Sequence, residues 1–157
     1  MILNDNSGKK TIRNVRCGQN VKIGDFVNLY DCTIGTGTKI GPFVEIQKGV
    51  NIGRNCKISS HSFICEGVSI GDGVFIGHGV SFTNDRYPRA VNEEGEMITT
   101  EWNMDQTVIE DRVSIGTGAT IRGGVKLERG AAVGAGAVVV KNVAAGVTVV
   151  GNPAHPV

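Results

Sequence analysis

From Ile34 to Phe82 the chain reads IGTGTK-IGPFVE-IQKGVN-IGRNCK-ISSHSF-ICEGVS-IGDGVF-IGHGVS-F. Broken into sixes, every block opens on isoleucine: Ile34, Ile40, Ile46, Ile52, Ile58, Ile64, Ile70 and Ile76, with Phe82 in the ninth place. Four places after each anchor stands a small or β-branched residue: Thr38, Val44, Val50, Cys56, Ser62, Val68, Val74 and Val80. The place directly after the anchor is often glycine, as at Gly35, Gly41, Gly53, Gly71 and Gly77. A period of six matches neither a 3.6-residue helix nor a simple alternating strand. It suits a short strand, a turn and another short strand, with the anchor pointing inward and the smaller residue filling the narrow interior beside it. Glycine permits the backbone angles and the close approach that the turn needs. One such unit cannot bury its own apolar side, so its neighbours must stack on it.

The same register extends outward from this stretch. A later run holds Ile109, Ile115, Ile121, Leu127, Val133 and Val139, with Val113, Ala119, Val125, Ala131, Ala137 and Val143 four places on. An earlier, looser run has Cys17, Ile23 and Leu29, then a five-residue step to Ile34. Composition agrees with a thin aliphatic core. Of 157 residues 23 are Gly and 40% are hydrophobic, yet the only aromatics are Trp102, two Tyr and five Phe. That balance points to a repeat structure more than to a compact globule.

Charge and cysteine usage narrow the function classes. Sixteen basic and fifteen acidic residues leave a net charge of +1, with no basic stripe for nucleic acid. No apolar stretch is long enough to span a bilayer as a helix. The N-terminus, Met1-Ile2-Leu3-Asn4-Asp5, turns polar at once and lacks a signal peptide's apolar region, so a cytoplasmic location is expected. Cys17, Cys32, Cys56 and Cys65 form no C-x-x-C pair, which argues against a zinc ribbon and favours small buried hydrophobes. Runs such as Gly35-Thr36-Gly37 lack the Lys-Ser/Thr of a phosphate loop and are explained by the repeat.

The period stops after Phe82 and resumes at Ile109. Residues 83–106 between them carry six acids and two arginines, together with Tyr87, Pro88 and Trp102. A long loop of this kind is usually functional or disordered. Its aromatic ends favour an extended loop, inserted between coils, that leaves the repeat and lies against a neighbouring subunit. The domain reading is therefore one domain over 1–157, with an inserted loop at 83–106 and a C-terminal tail at 151–157.

The fifteen anchors of the two main runs match the pattern [LIV]-[GAED]-x-x-[STAV]-x, and the chain resembles the hexapeptide-repeat family from about residue 17 to 150. That resemblance implies an all-β fold, a left-handed parallel β-helix with three hexapeptides per triangular coil. At 18 residues per coil it gives about six to seven coils, and a prism about 30 Å tall at ~4.8 Å per rung. The handedness comes from the resemblance, since ordinary crossovers are right-handed. Members of the family are mostly acyltransferases using acetyl-CoA or an acylated carrier protein, typically trimers with sites in clefts between adjacent prisms.

Three segments sharpen the resemblance: Ile58-Ser59-Ser60-His61-Ser62-Phe63-Ile64-Cys65-Glu66-Gly67-Val68, then Val74-Phe75-Ile76-Gly77-His78-Gly79-Val80, then Phe82-Thr83-Asn84-Asp85-Arg86-Tyr87-Pro88-Arg89-Ala90. Together they look like the N-acetyltransferases of 3-amino-3-deoxy sugars carried on UDP or dTDP, which serve surface glycan synthesis (O-antigen or S-layer). Val150-Gly151-Asn152-Pro153-Ala154 also resembles the G-N-P-A ending of the superfamily. The implied function is acetyl-CoA-dependent N-acetylation of such a sugar by a cytoplasmic homotrimer, with acetyl-CoA as co-substrate and no metal.

Acetyl transfer to an amine needs an unprotonated amine, a donor for the oxyanion and a route for the proton. His61, with an ordinary pKa near ~6.5, is the general-base candidate on residue type. Asn84, in the matched motif, is the second catalytic candidate. Glu66 and Asn84 are 18 apart at the same place after their anchors, so they are expected to stack on one edge. His61, Glu66, His78 and Asn84 read as one cluster, with Glu66 and His78 on the sugar. Asp85, Arg86, Tyr87 and Arg89 are the expected nucleotide partners, the arginines for phosphate oxygens and Tyr87 for stacking on a ring. For CoA the narrow late coils offer Ala119 and Ala137, with Arg122 and Lys141 as phosphate partners and Pro153 from the G-N-P-A ending. His155-Pro156 stands where the family often has a basic residue, which departs from the pattern at that contact.

Each candidate has a structural alternative: a turn histidine, a loop-starting asparagine, a solvated acid, or arginines that only anchor the loop. Other functions also share the frame. An O-acetyltransferase or a different acyl chain differs only in acceptor or donor. Orientation of the amine, without a histidine base, could supply most of the rate. A γ-class carbonic anhydrase needs three histidine ligands, whereas this chain has only His61, His78 and the tail residue His155. A non-enzymatic β-helix would leave the loop and the polar cluster without a role.

Overall fold

The computed structural model describes residues 1–99 and 103–157, so Trp102 lies outside the described residues. The hexapeptide period becomes three parallel ladders wound as a left-handed β-helix. The first face stacks Lys22–Ile23, Lys39–Ile40, Lys57–Ile58, Phe75–Ile76, Ser114–Ile115, Ala132–Val133 and Thr148–Gly151. The second stacks part of Thr11–Cys17, then Asn28–Tyr30, Glu45–Ile46, Phe63–Ile64, Ser81–Phe82, Thr120–Ile121 and Val138–Val139. The third stacks the rest of Thr11–Cys17, then Thr33–Ile34, Asn51–Ile52, Val68–Ile70, Thr107–Ile109 and Lys126–Leu127, and a single bridge at Val143 completes it. Each coil therefore passes first, second and third face in turn, at the upper end of the six to seven coils expected.

Anchor lies on anchor. Ile34 pairs with Ile52, Ile40 with Ile58 and Ile46 with Ile64, so through these coils the interior rows are isoleucine on isoleucine. Ile34, Ile46, Ile64, Ile76, Ile115 and Ile121 are fully buried, each adding roughly 1.5–3 kcal/mol by leaving water. The residue four places on is polar at Thr38 and Ser62 and is then satisfied internally. Thr38 Oγ1 donates to the Gly53 carbonyl and Ser62 Oγ to that of Gly77, both at 2.9 Å. All four cysteines are buried free thiols.

Corner geometry separates two tasks that sequence merges. The third residue after an anchor takes a left-handed φ, whether glycine as at Gly37 and Gly118, or Asn55, Phe43, His61 or Arg112. The glycine directly after the anchor answers a different need. A Cβ on Gly35 would stand 2.5 Å from the backbone carbonyl of Gly53 on the next coil.

The prism is closed at both ends by strands that the hexapeptide pattern does not mark. Ile2–Asp5 pairs antiparallel with Thr11–Cys17 at one end, and Ala154–Pro156 folds back antiparallel on Thr148–Gly151 at the other. The loop enters as an insertion into one coil. Across it the rung step grows from 18 residues to 39, with Ile70 pairing Ile109 and Phe82 pairing Ile121.

Candidate functional site

A triangular prism has three edges, and the candidate residues fall on two of them. The edge between first and second faces carries Phe26, Phe43 and His61 in successive left-handed corners. Their rings stack, Phe26 on Phe43 with centroids 5.1 Å apart and Phe43 on His61 at 4.8 Å. His61 is exposed, and its backbone N–H donates to the Pro42 carbonyl. His78 sits on the same edge one rung further, with Nδ1 hydrogen-bonded to Ser60 Oγ at 2.8 Å.

The edge between second and third faces carries Glu66 and Asn84. Asn84 Nδ2 donates to the Glu66 carbonyl at 3.0 Å, and the Glu66 carboxylate pairs with Lys48 at 3.5 Å. These two do stack as their 18-residue spacing requires. The expected four-residue cluster does not form within one chain: one whole face separates the two histidines from Glu66 and Asn84. The reason is the register. His61 and Glu66 are five residues apart, which carries the backbone around a corner, along the Phe63–Ile64 strand and into the next corner.

The loop springs from the Asn84 edge and is clamped at its base. The Arg86 guanidinium makes two bonds to the Asp105 carboxylate, at 3.2 and 3.3 Å, while the Asp105 N–H donates to the Asn84 carbonyl. Asp85 accepts the Tyr87 N–H at 2.9 Å, turning the chain outward. Further out Val91 bridges Met97 antiparallel, and Asn92 Oδ1 accepts the N–H groups of Glu94 and Glu96, so the insertion is a closed finger. Asp85, Arg86, Tyr87, Arg89, Ile98, Thr99, Asn103 and Asp105 line a cleft of about 630 Å³ at its base. The four nucleotide candidates thus come together. Arg86 has an anchoring task there, while Tyr87 is 80% exposed.

The coenzyme candidates divide. Arg122 and Lys141 are exposed on the Asn84 edge, and Pro153 is exposed in the turn of the C-terminal hairpin. Ala119 and Ala137, by contrast, are wholly buried with side chains inside the prism. Their carbonyls accept Ser81 N–H and Thr120 N–H, so neither alanine offers a side chain to a ligand. They are the fourth-place core residues of their units. Sequence reading passed over Ser60 and Asp105. Ser60 lies 18 residues before His78 and was readable from the register, whereas Asp105 closes a non-repeating loop and carries no such signal. Among the described residues no three of His, Cys, Asp and Glu come together as a metal site.

Comparison with known proteins follows the coil architecture. The family model "Bacterial transferase hexapeptide (six repeats)" matches residues 14–48, 49–84 and 106–141, leaving out the finger. The chain belongs to this hexapeptide family. Among curated relatives, the bifunctional protein GlmU of Chromobacterium violaceum is 29% identical over 139 residues, which is 86% of this chain and 30% of that protein. GlmU of Thermodesulfovibrio yellowstonii is 30% identical over 136 residues, again 30% of its length. The chain thus spans about a third of the curated hexapeptide relatives it matches. A hexapeptide-repeat acetyltransferase of Vibrio cholerae, solved with acetyl coenzyme A, is 29% identical at a TM-score of 0.64, covering 78% of this chain and 68% of that one. A variant of AntD, an N-acyltransferase from Bacillus cereus in complex with dTDP and coenzyme A, superposes at a TM-score of 0.78 over 90% of this chain and 82% of its own, at 20% identity. At that identity the likeness is one of fold.

Proposed function

We propose that this hexapeptide protein is an acetyl-CoA-dependent N-acetyltransferase for a 3-amino-3-deoxy sugar carried on UDP or dTDP, acting in the cytoplasm as a homotrimer in surface glycan (lipopolysaccharide O-antigen or S-layer) synthesis. The observation that carries the reading is the Asn84–Glu66 rung at the root of the clamped finger. Asn84 spends its amide N–H on the Glu66 carbonyl, which leaves Oδ1 as an acceptor beside the cleft of Asp85, Arg86, Tyr87 and Arg89. A neutral carbonyl acceptor orients a sugar amine without forcing it to stay protonated. Arg89 is the cleft's second cation for a diphosphate, since Arg86 is committed to Asp105. The acetyl-CoA complex of the Vibrio cholerae protein and the dTDP and coenzyme A complexes of AntD support donor and nucleotide class.

In the reaction the amine nitrogen bonds to the acetyl carbon and the carbon–sulfur bond breaks. Coenzyme A leaves as thiolate and takes up, through water or a base, the proton lost by nitrogen. Within one chain His61 is one face away from Asn84, so a histidine base would have to come from an adjacent prism. That geometry supports a trimer with the site between subunits. Catalysis by orientation needs no such base.

Thiol release from acetyl-CoA is the test, with a panel of UDP- and dTDP-linked amino sugars and the variants Asn84→Ala and His61→Ala. Turnover on a 3-amino sugar that falls at least ~100-fold in Asn84→Ala supports the reading. Retention of rate in His61→Ala assigns catalysis to orientation. No turnover on any amino sugar sinks the proposal in favour of a hydroxyl acceptor.

A further inference from the structure

Rungs stack their outward residues as well as their inward ones, and the first face stacks like charges. Lys22, Lys39 and Lys57 are exposed, direct cross-strand partners on three successive rungs, and the row continues through Phe75 and Ser114 to Thr148. Like charges directly opposite on neighbouring strands repel. Among the described residues the ladders of the second and third faces set no two like charges on adjacent rungs. Nor are the lysines neutralised from the side. The acids at the two borders, Asp25 and Asp72, are paired with Lys10 and Arg54. Folding alone therefore gives no reason for the row.

The shape of the row decides what kind of partner fits it. A small anion needs donors converging on one point, whereas these ammonium groups stand in line, about 10 Å from first to third. In-register stacking makes the face a flat strip, and its outward row holds no acid from Lys22 to Thr148, six rung steps or about 29 Å. An aromatic side chain lies in line with the charges. Phe75 is 38% exposed, with the Lys57 ammonium over its ring at 5.8 Å. A plane of negative charge with an apolar layer behind it complements all three features, and the surface of an anionic bilayer is such a plane. A nucleic-acid duplex curves away from a flat strip and would engage the lysines alone. The strip also stands clear of the proposed site: joining the His61 edge of one prism to the Asn84 edge of the next turns second faces inward and first faces outward.

We infer that the first face is a peripheral membrane-binding surface, which lays the prism lengthwise on an anionic lipid bilayer with Lys22, Lys39 and Lys57 at the headgroups and Phe75 at the interface. Three lysines with one ring give contact that is weak, rapidly reversible and sensitive to salt. The binding is independent of what reaction the protein performs.

Co-sedimentation of the full chain with vesicles tests it, using phosphatidylglycerol mixed with phosphatidylcholine against phosphatidylcholine alone, at low salt and millimolar lipid. Wild type should partition onto the anionic vesicles, stay off the neutral ones and be released by added salt. Each lysine removed should lower the partition coefficient roughly fivefold, so K22Q/K39Q/K57Q should lose about 100-fold. The charge-matched control R16Q/R122Q/K141Q, on the third face and the Asn84 edge, should keep most of the binding, with circular dichroism as the check on folding of both variants. A direct probe of the face is Phe75→Trp, with Trp102, the chain's one tryptophan, replaced by Phe. Its emission should shift to the blue on anionic vesicles. The inference is overturned if wild type ignores anionic vesicles or binds neutral ones equally, if the control loses as much as the lysine triple, or if the Phe75→Trp emission does not move. Tighter binding to a DNA duplex than to vesicles at the same salt would overturn it too, and assign the ladder to nucleic acid.

Discussion

The Cys32 and Cys65 thiols are buried among aliphatic rows, where desolvation raises their pKa to about 12 and about 11. Cys17 and Cys56 are shifted upward for the same reason. A thiol attacks as thiolate, so none of the four is a nucleophile at neutral pH. At pH 8 a disulfide reagent should label essentially none of them in native protein and all four in denaturant; rapid labelling of any in the native state would contradict the packing. Their inward role was legible because Cys32, Cys56 and Cys65 occupy or adjoin repeat positions. The histidines were less legible. Register fixes which corner a residue enters, and it placed Glu66 beneath Asn84. Reading His61 into that cluster ignored that five residues carry the chain past a corner and a strand to the next edge.

At the scale of the coil corner, glycines of equal appearance differ in cost. A Cβ on Gly77 would meet the Thr117 backbone nitrogen at 2.5 Å, whereas one on Gly118 meets nothing within 4 Å and only needs φ near +70°. Asn20 and Asn55 already hold that conformation in equivalent corners. Gly77→Ala should therefore cost about 1–3 kcal/mol through forced coil separation, and Gly118→Asn less than about 1 kcal/mol, by denaturant titration. Equal losses would refute the division of roles. The edge between third and first faces adds a charge ladder: Asp72 accepts the Arg54 N–H at 2.7 Å and its guanidinium, while the Asp72 N–H donates to Asp111. These bonds, the backbone one foremost, hold the Asp72 carboxyl below its ordinary 3.8. A depressed pKa stabilises the fold above the unfolded value and is lost as pH falls through the folded one. Asp72→Asn should accordingly flatten the acid loss of stability below about pH 4; an unchanged acid limb would show the pair to be inert. The end hairpins escaped sequence reading because Ile2–Asp5 and Ala154–Pro156 are antiparallel caps outside the period.

For the whole molecule, nearest-neighbour stacking explains why one coil tolerates a long insertion. Ile70 still meets Ile109 and Phe82 still meets Ile121, so the ladder continues beneath the finger. The insertion's cost to the prism is then loop closure, which grows only as the logarithm of length. Replacing residues 88–103 with four Gly/Ser residues keeps the Arg86–Asp105 clamp, roughly halves the loop and should leave the prism within about 0.6 kcal/mol of wild type. The assembled state should respond differently. A partner that binds only the folded chain raises the unfolding midpoint with protein concentration. If the finger is what one copy lends another, the wild-type midpoint climbs with concentration and the shortened chain's stays flat, the two converging on dilution. Convergence with a flat shortened chain separates assembly from folding; a shortened chain that unfolds far earlier even at high dilution would make the finger part of the prism's own packing.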